Sequence, residues 1–91
     1  MDIYTNAVSL IIRQQSTIIG PLAIDQARKV TGLEIVGENE FKLSGNGKQI
    51  LEKLVQQYSR LFGQASIEAC KDAIKEIQPA VPADQLPEIL R

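Results

Sequence analysis

The chain contains no histidine, which removes the common zinc sites, phosphorelay through imidazole and histidine-activated nucleophiles. Its single cysteine, Cys70, has no second thiol with which to close an internal disulfide. No apolar stretch is long enough to span a bilayer, and no charged leader precedes one, so the expected compartment is the cytoplasm, with no membrane association. An excess of either charge is missing too. Ten basic residues stand against eleven acidic ones, for a net charge of −1, and neither sign forms a run that would track phosphates or mimic nucleic acid. Nucleic acid is therefore disfavoured as a partner.

What is present is an ordinary globular composition, 44% apolar and 23% charged, in a chain of 91 residues. That length supports one hydrophobic core rather than two. Between Ile3 and Ile19 the residues Tyr4, Val8, Ile11, Ile12, Ile18 and Ile19 recur at helical spacing, which predicts a first helix. Gly20-Pro21 breaks it. Proline is tolerated in a first helical turn, so a short second helix is expected to carry Ala23, Ile24, Ala27 and Val30 as far as Gly32.

Leu33–Val36 and Glu40–Leu43 flank a Gly37-Glu38-Asn39 break and read as a hairpin, with Asn39 able to take a left-handed conformation. In the register whose indices sum to 76, Leu33 faces Leu43, Ile35 faces Phe41 and Glu34 faces Lys42. Four apolar side chains then share one face, which must lie against the helices because an isolated hairpin is marginal. After a turn at Ser44–Gly47, Asn46 and Gln49 suggest a capping box for a third helix. Its stripe is Leu51, Leu54, Val55, Tyr58, Leu61 and Phe62, ended by Gly63. A fourth helix to about Ile77 should bury Ile67, Cys70, Ala73, Ile74 and Ile77. The expected organisation is a helical repeat domain over 1–78, with its hairpin at 33–43, and a proline-punctuated tail over 79–91 containing Pro79, Pro82 and Pro87.

A shift of 43 residues lays Gly20 on Gly63 and aligns Ile11, Ile12, Ile18 and Ile19 with Leu54, Val55, Leu61 and Phe62. Beyond the glycine, Ile24 meets Ile67, Asp25 meets Glu68, Ala27 meets Cys70 and Arg28 meets Lys71. Each half is thus a long helix, a glycine elbow and a short helix, and two such units can bury their faces against each other. The fold class this predicts is mainly α, of the α+β kind: two helix-elbow-helix repeats joined by a β-hairpin in one small domain. The segment Ile18-Ile19-Gly20-Pro21-Leu22-Ala23, with Arg28 a turn later, resembles the isoleucine-glycine-proline elbow of small helical accessory domains of bacterial signalling proteins. A degenerate copy runs from Leu61 to Ser66, with Gln64 where the first has proline. The resemblance implies an interaction module in signalling and transfers no catalytic residue.

Candidate chemistry is sparse. Asp25, Glu52, Glu68 and Asp72 fall on solvent-facing positions of amphipathic helices, which argues against paired-carboxylate catalysis. Leu43–Gln49 leads from strand to helix as a phosphate loop does, but Lys42 stands where the first glycine belongs and Gln49 replaces the magnesium-binding hydroxyl. Cys70 reads as a small buried hydrophobe. Ser66 lacks the preceding aspartate of a phosphopantetheine-bearing serine.

The residues therefore point to a non-enzymatic protein-interaction or regulatory module with no cofactor and no metal, whose partner is another protein or a second copy of the chain. Contact groups expected are Tyr4, the elbow at Gly20 and Pro21, Arg28, Lys71, and Leu86, Ile89 and Leu90 as a docking turn. Two alternatives stay open. A winged-helix-like DNA-binding regulator would expose Gln26, Arg28 and Lys29 beside the hairpin, and a weak binder of anions or small ligands would use the backbone amides and Lys48 of the turn at the start of the third helix.

Overall fold

A computed structural model of the chain describes residues 3–37, 40–77 and 80–91. The third helix of the sequence reading is α3, Gly47–Phe62, and its start is fixed by Asn46, whose side chain accepts the backbone N–H of Gln49 at 3.1 Å. That bond satisfies one of the donors every helix start leaves open. Leu51, Leu54, Val55 and Tyr58 on one side of α3 are wholly buried. They meet Val8, Ile11 and Ile12 of α1, Ile3–Ile19, and Cys70, Ala73 and Ile74 of α4, Gln64–Ile74, in one continuous core. No helix among the described residues is long and apolar enough to cross a membrane.

Both long helices end alike. Gly20 and Gly63 take left-handed backbone, φ 69° and 75°, and each glycine N–H returns to the carbonyl four residues back, Ser16 and Ser59 respectively. Each glycine carbonyl then accepts the N–H three residues on, from Ala23 and Ser66, opening the next helix. Every partner is displaced by 43 positions from its counterpart, so the two elbows are one turn made twice. The second is built without proline, and the turn therefore depends on glycine rather than on Pro21.

The short helix α2 covers Leu22–Ala27 and stops earlier than the sequence suggests. From Lys29 onward the chain tightens into i→i−3 bonds, Lys29 to Gln26 and Val30 to Ala27, which still bury Val30. The end of α4 does the same: Glu76 and Ile77 donate to Ala73 and Ile74, and Ile77 is buried beyond the helix proper.

Strands β1, Leu33–Gly37, and β2, Glu40–Leu43, pair antiparallel with Leu33 opposite Leu43, Glu34 opposite Lys42 and Ile35 opposite Phe41. The expected register then breaks. Gly37 rather than Val36 faces Glu40, so β1 carries one extra residue and Val36 is left half-exposed at the bulge. The left-handed conformation expected of Asn39 lies outside the described residues. Leu33 and Phe41 are buried, Ile35 and Leu43 partly so, and β2 packs on α1.

The two halves are joined by position 15 and its equivalent, position 58. The Tyr58 hydroxyl, fully buried, donates to the Ala23 carbonyl of α2 at 2.7 Å, and Gln15, 1% exposed, reaches the Cys70 sulfur of α4 with its amide at 3.8 Å. Each long helix thus contacts the short helix of the other half. At the opposite end, Tyr4 and Gly47 are also equivalent positions, and they touch: a Cβ on Gly47 would lie 2.7–2.8 Å from Tyr4 carbons. The tail forms two 3₁₀ turns, Ala83–Gln85 and Glu88–Leu90, of which the second packs on α3 and α4 and buries Leu90. Pro79 lies outside the described residues.

Two substitutions test this frame. Tyr58→Phe removes the hydroxyl's bond to the Ala23 carbonyl and should cost about 0.5–1.5 kcal/mol, read as a lower urea midpoint with unchanged m-value. Gly63→Ala has open space around the added methyl, so its cost is the left-handed backbone alone, about 1–2 kcal/mol.

Candidate functional site

The elbows place side chains where the helical stripes predict core and the fold does not supply it. Ile18, Leu61 and Phe62 continue the apolar stripes of α1 and α3, yet Ile18 is 61% exposed, Leu61 51% and Phe62 39%. The stripes overrun the core because no described residue covers these side chains at the last turn of either helix. Leu22, just past the first elbow, is exposed as well. These are four of the five large hydrophobic side chains that stand exposed among the described residues.

The two elbows are neighbours. Ile18 and Ile19 from the first and Phe62 and Ala65 from the second line one narrow apolar cleft of about 130 Å³, floored by Ser66 and Ala69. The surface around it is free of charge over a long stretch of both repeats: residues 14–24 and 61–67 contain no ionisable side chain. Charge depletion around exposed aliphatic and aromatic groups distinguishes the centre of an interface from ordinary surface.

The residues singled out from the sequence are scattered by the fold. Gly20 and Pro21 follow directly on the cleft residues Ile18 and Ile19 in the chain without lining the cleft themselves. Arg28, the residue that ends α2, faces a different groove, beside the hairpin. Its equivalent Lys71 is partly buried and pairs with Glu68 on its own helix at 3.5 Å. Tyr4 is committed within the chain, its hydroxyl donating to the Gln85 carbonyl at 2.7 Å and so holding the tail. Leu86 and Ile89 pack against the core and Leu90 is part of it. Gln26, exposed in the winged-helix reading, is 8% exposed and accepts the Gln57 side-chain amide at 2.7 Å.

Ile18, Leu22, Leu61 and Phe62 were not among the expected contact residues. The uncharged runs flanking both glycines were the available signal, masked by a spacing that assigns three of the four to the core. Among the described residues no group of three histidine, cysteine or acidic side chains comes together as a metal site. Comparison with protein-family models, curated proteins and solved structures finds no match to this chain.

Cys70 is fully buried between the halves, and burial pushes its thiol up to about 12 against an ordinary 9.0, with the Gln15 amide opposing that rise. Burial also raises the Tyr58 hydroxyl, and the negative charge Cys70 would carry on ionising raises it further. Because the folded thiol titrates above the unfolded one, its contribution to stability is intact below pH 9.0 and is lost as pH climbs toward 12. The urea midpoint should therefore fall above pH 9.0, and Cys70→Ala should delay that fall to about pH 10.0, where Tyr58 begins to ionise in the unfolded chain. In the folded chain at pH 8 the thiol should react with a disulfide reagent far more slowly than in urea.

Proposed function

We propose that the domain is a non-enzymatic protein-interaction module of regulatory character that docks through its paired elbows, and that the surface it meets is the elbow pair of a second copy. The observation that carries this is the concentration of four exposed hydrophobic side chains on two adjacent, uncharged turns. The surface consists of two equivalent halves, Ile18 and Ile19 matching Leu61 and Phe62. Such a surface can face its own copy across a two-fold axis, as an isologous interface requires. A copy also brings no like charge to the contact, which removes the repulsion that would discourage self-pairing. The isoleucine-glycine-proline sequence at 18–21, shared in kind with accessory domains of bacterial signalling proteins, supports the regulatory setting.

Mass in solution tests the reading. Light scattering coupled to size-exclusion chromatography should give twice 10.0 kDa at high concentration. Ile18→Ser combined with Phe62→Ser should return the chain to 10.0 kDa. Neither residue belongs to the buried core, so the variant should remain folded, read as an unchanged far-ultraviolet circular dichroism spectrum and a cooperative melt that no longer depends on protein concentration. A single-chain mass at every concentration sinks self-association.

A further inference from the structure

The fifth exposed hydrophobic side chain, Val36, stands apart from the elbows, on the rim of a groove of about 700 Å³ between α1, α2 and the hairpin. That volume lies within the roughly 300–1,000 Å³ range of small-molecule sites. Ile12 and Phe41, both buried, form its floor, and Ile24 and Ile35, partly buried, form its walls. Its polar groups lie on the helices. Arg13 projects from α1 alongside Thr17, one turn on, whose hydroxyl donates to the Arg13 carbonyl at 3.1 Å. Arg28 comes from the end of α2.

The two arginines carry the argument. The ion pairs among the described residues are Lys71 with Glu68 and Lys75 with Asp72, both on or next to α4. Neither arginine forms an ion pair with a described residue, although Asp25 lies only three residues before Arg28 and Glu76 shares a smaller cleft with Arg13. Among the described residues no acidic side chain lines the groove. Two unpaired guanidinium groups over an apolar floor call for an anion attached to an apolar body, because the planar N–H fork matches a carboxylate, sulfonate or phosphate while the floor offers only dispersion contacts and burial. The bulge contributes as well, since the extra residue in β1 puts Val36 and Gly37 at the groove's edge.

We infer that this groove binds a single small amphiphilic anion, a medium-chain carboxylate or an aromatic acid of similar size, with its charged end held by Arg13 and Arg28 and its apolar part on Ile12 and Phe41. The site uses none of the elbow residues, so it stands or falls independently of the proposed docking surface.

Titration of the full chain with laurate, kept below its micelle-forming concentration and followed by amide chemical shifts, is the test. Saturable shifts should appear at residues of α1, α2 and the hairpin around the groove. Arg13→Gln with Arg28→Gln, both exposed positions that should leave the fold intact, should weaken laurate by about tenfold or more, the equivalent of losing one charge-assisted bond. Ile18→Ser with Phe62→Ser should leave laurate binding unchanged. Dodecanol, with the chain but no charge, and inorganic phosphate, with charge but no chain, should each bind at least about tenfold more weakly than laurate. Co-sedimentation with vesicles containing phosphatidylglycerol should leave the protein in the supernatant. The inference is overturned by the absence of saturable shifts at millimolar laurate, by laurate binding that survives loss of both arginines, by dodecanol or phosphate binding as well as laurate, or by binding that needs a vesicle surface.

Discussion

The left-handed backbone at Gly20 and Gly63 is the constraint on which the other contacts depend, because it ends each long helix at the same point and sends the following helix back across the other half. An L-residue there would bear the steric cost of that conformation, and a helix continued by even one turn would carry α2 or α4 off the core. With both turns fixed, Tyr58 of α3 reaches the Ala23 carbonyl and Gln15 of α1 reaches Cys70, tying each half to its counterpart through polar groups that burial leaves no alternative partner in water. Cys70 is inert for the same reason that it is well placed, as a small polarisable group filling the space beneath Gln15.

The same turns leave a surface uncovered. A helix that must end at a glycine elbow exposes its last apolar turn unless something crosses it, and among the described residues nothing does in either half. The elbow surface and the hairpin groove divide the exposed apolar side chains between them, one without charge and one with two unpaired arginines. That division gives them different chemistry: the first suits a large flat contact, the second a small ligand with one charged end.

Much of the fold was legible in the sequence because its signals were local. The stripe on α3, the Asn46 cap, the glycine breaks and the pairing from Leu33–Leu43 to Ile35–Phe41 each follow from a few neighbouring residues. What was not legible depended on distance. Ile18, Leu61 and Phe62 keep helical phase with buried neighbours, and periodicity does not tell which turn of a helix runs past its packing partner. Tyr4 and Leu90 looked available for a partner because their intrachain contacts, with the Gln85 carbonyl and with the core, connect opposite ends of the chain. The bulge at Val36 and the short α2 were missed because both hinge on a single hydrogen-bond choice. The pairing of Arg13 with Arg28 across one groove joins residues fifteen positions apart on two helices whose angle no pattern encodes.

The contact of Tyr4 with Gly47 makes the two halves complementary rather than interchangeable. These positions occupy the same place in the repeat, yet the ring of one lies where the side chain of the other would be. A dimer made from two identical copies of the first half would force two tyrosines into that space, and one made from the second half would leave it empty. Each half is therefore shaped to its unlike neighbour. Neither half can stand in for the other, and a larger residue at position 47 is tolerated only with a smaller one at position 4.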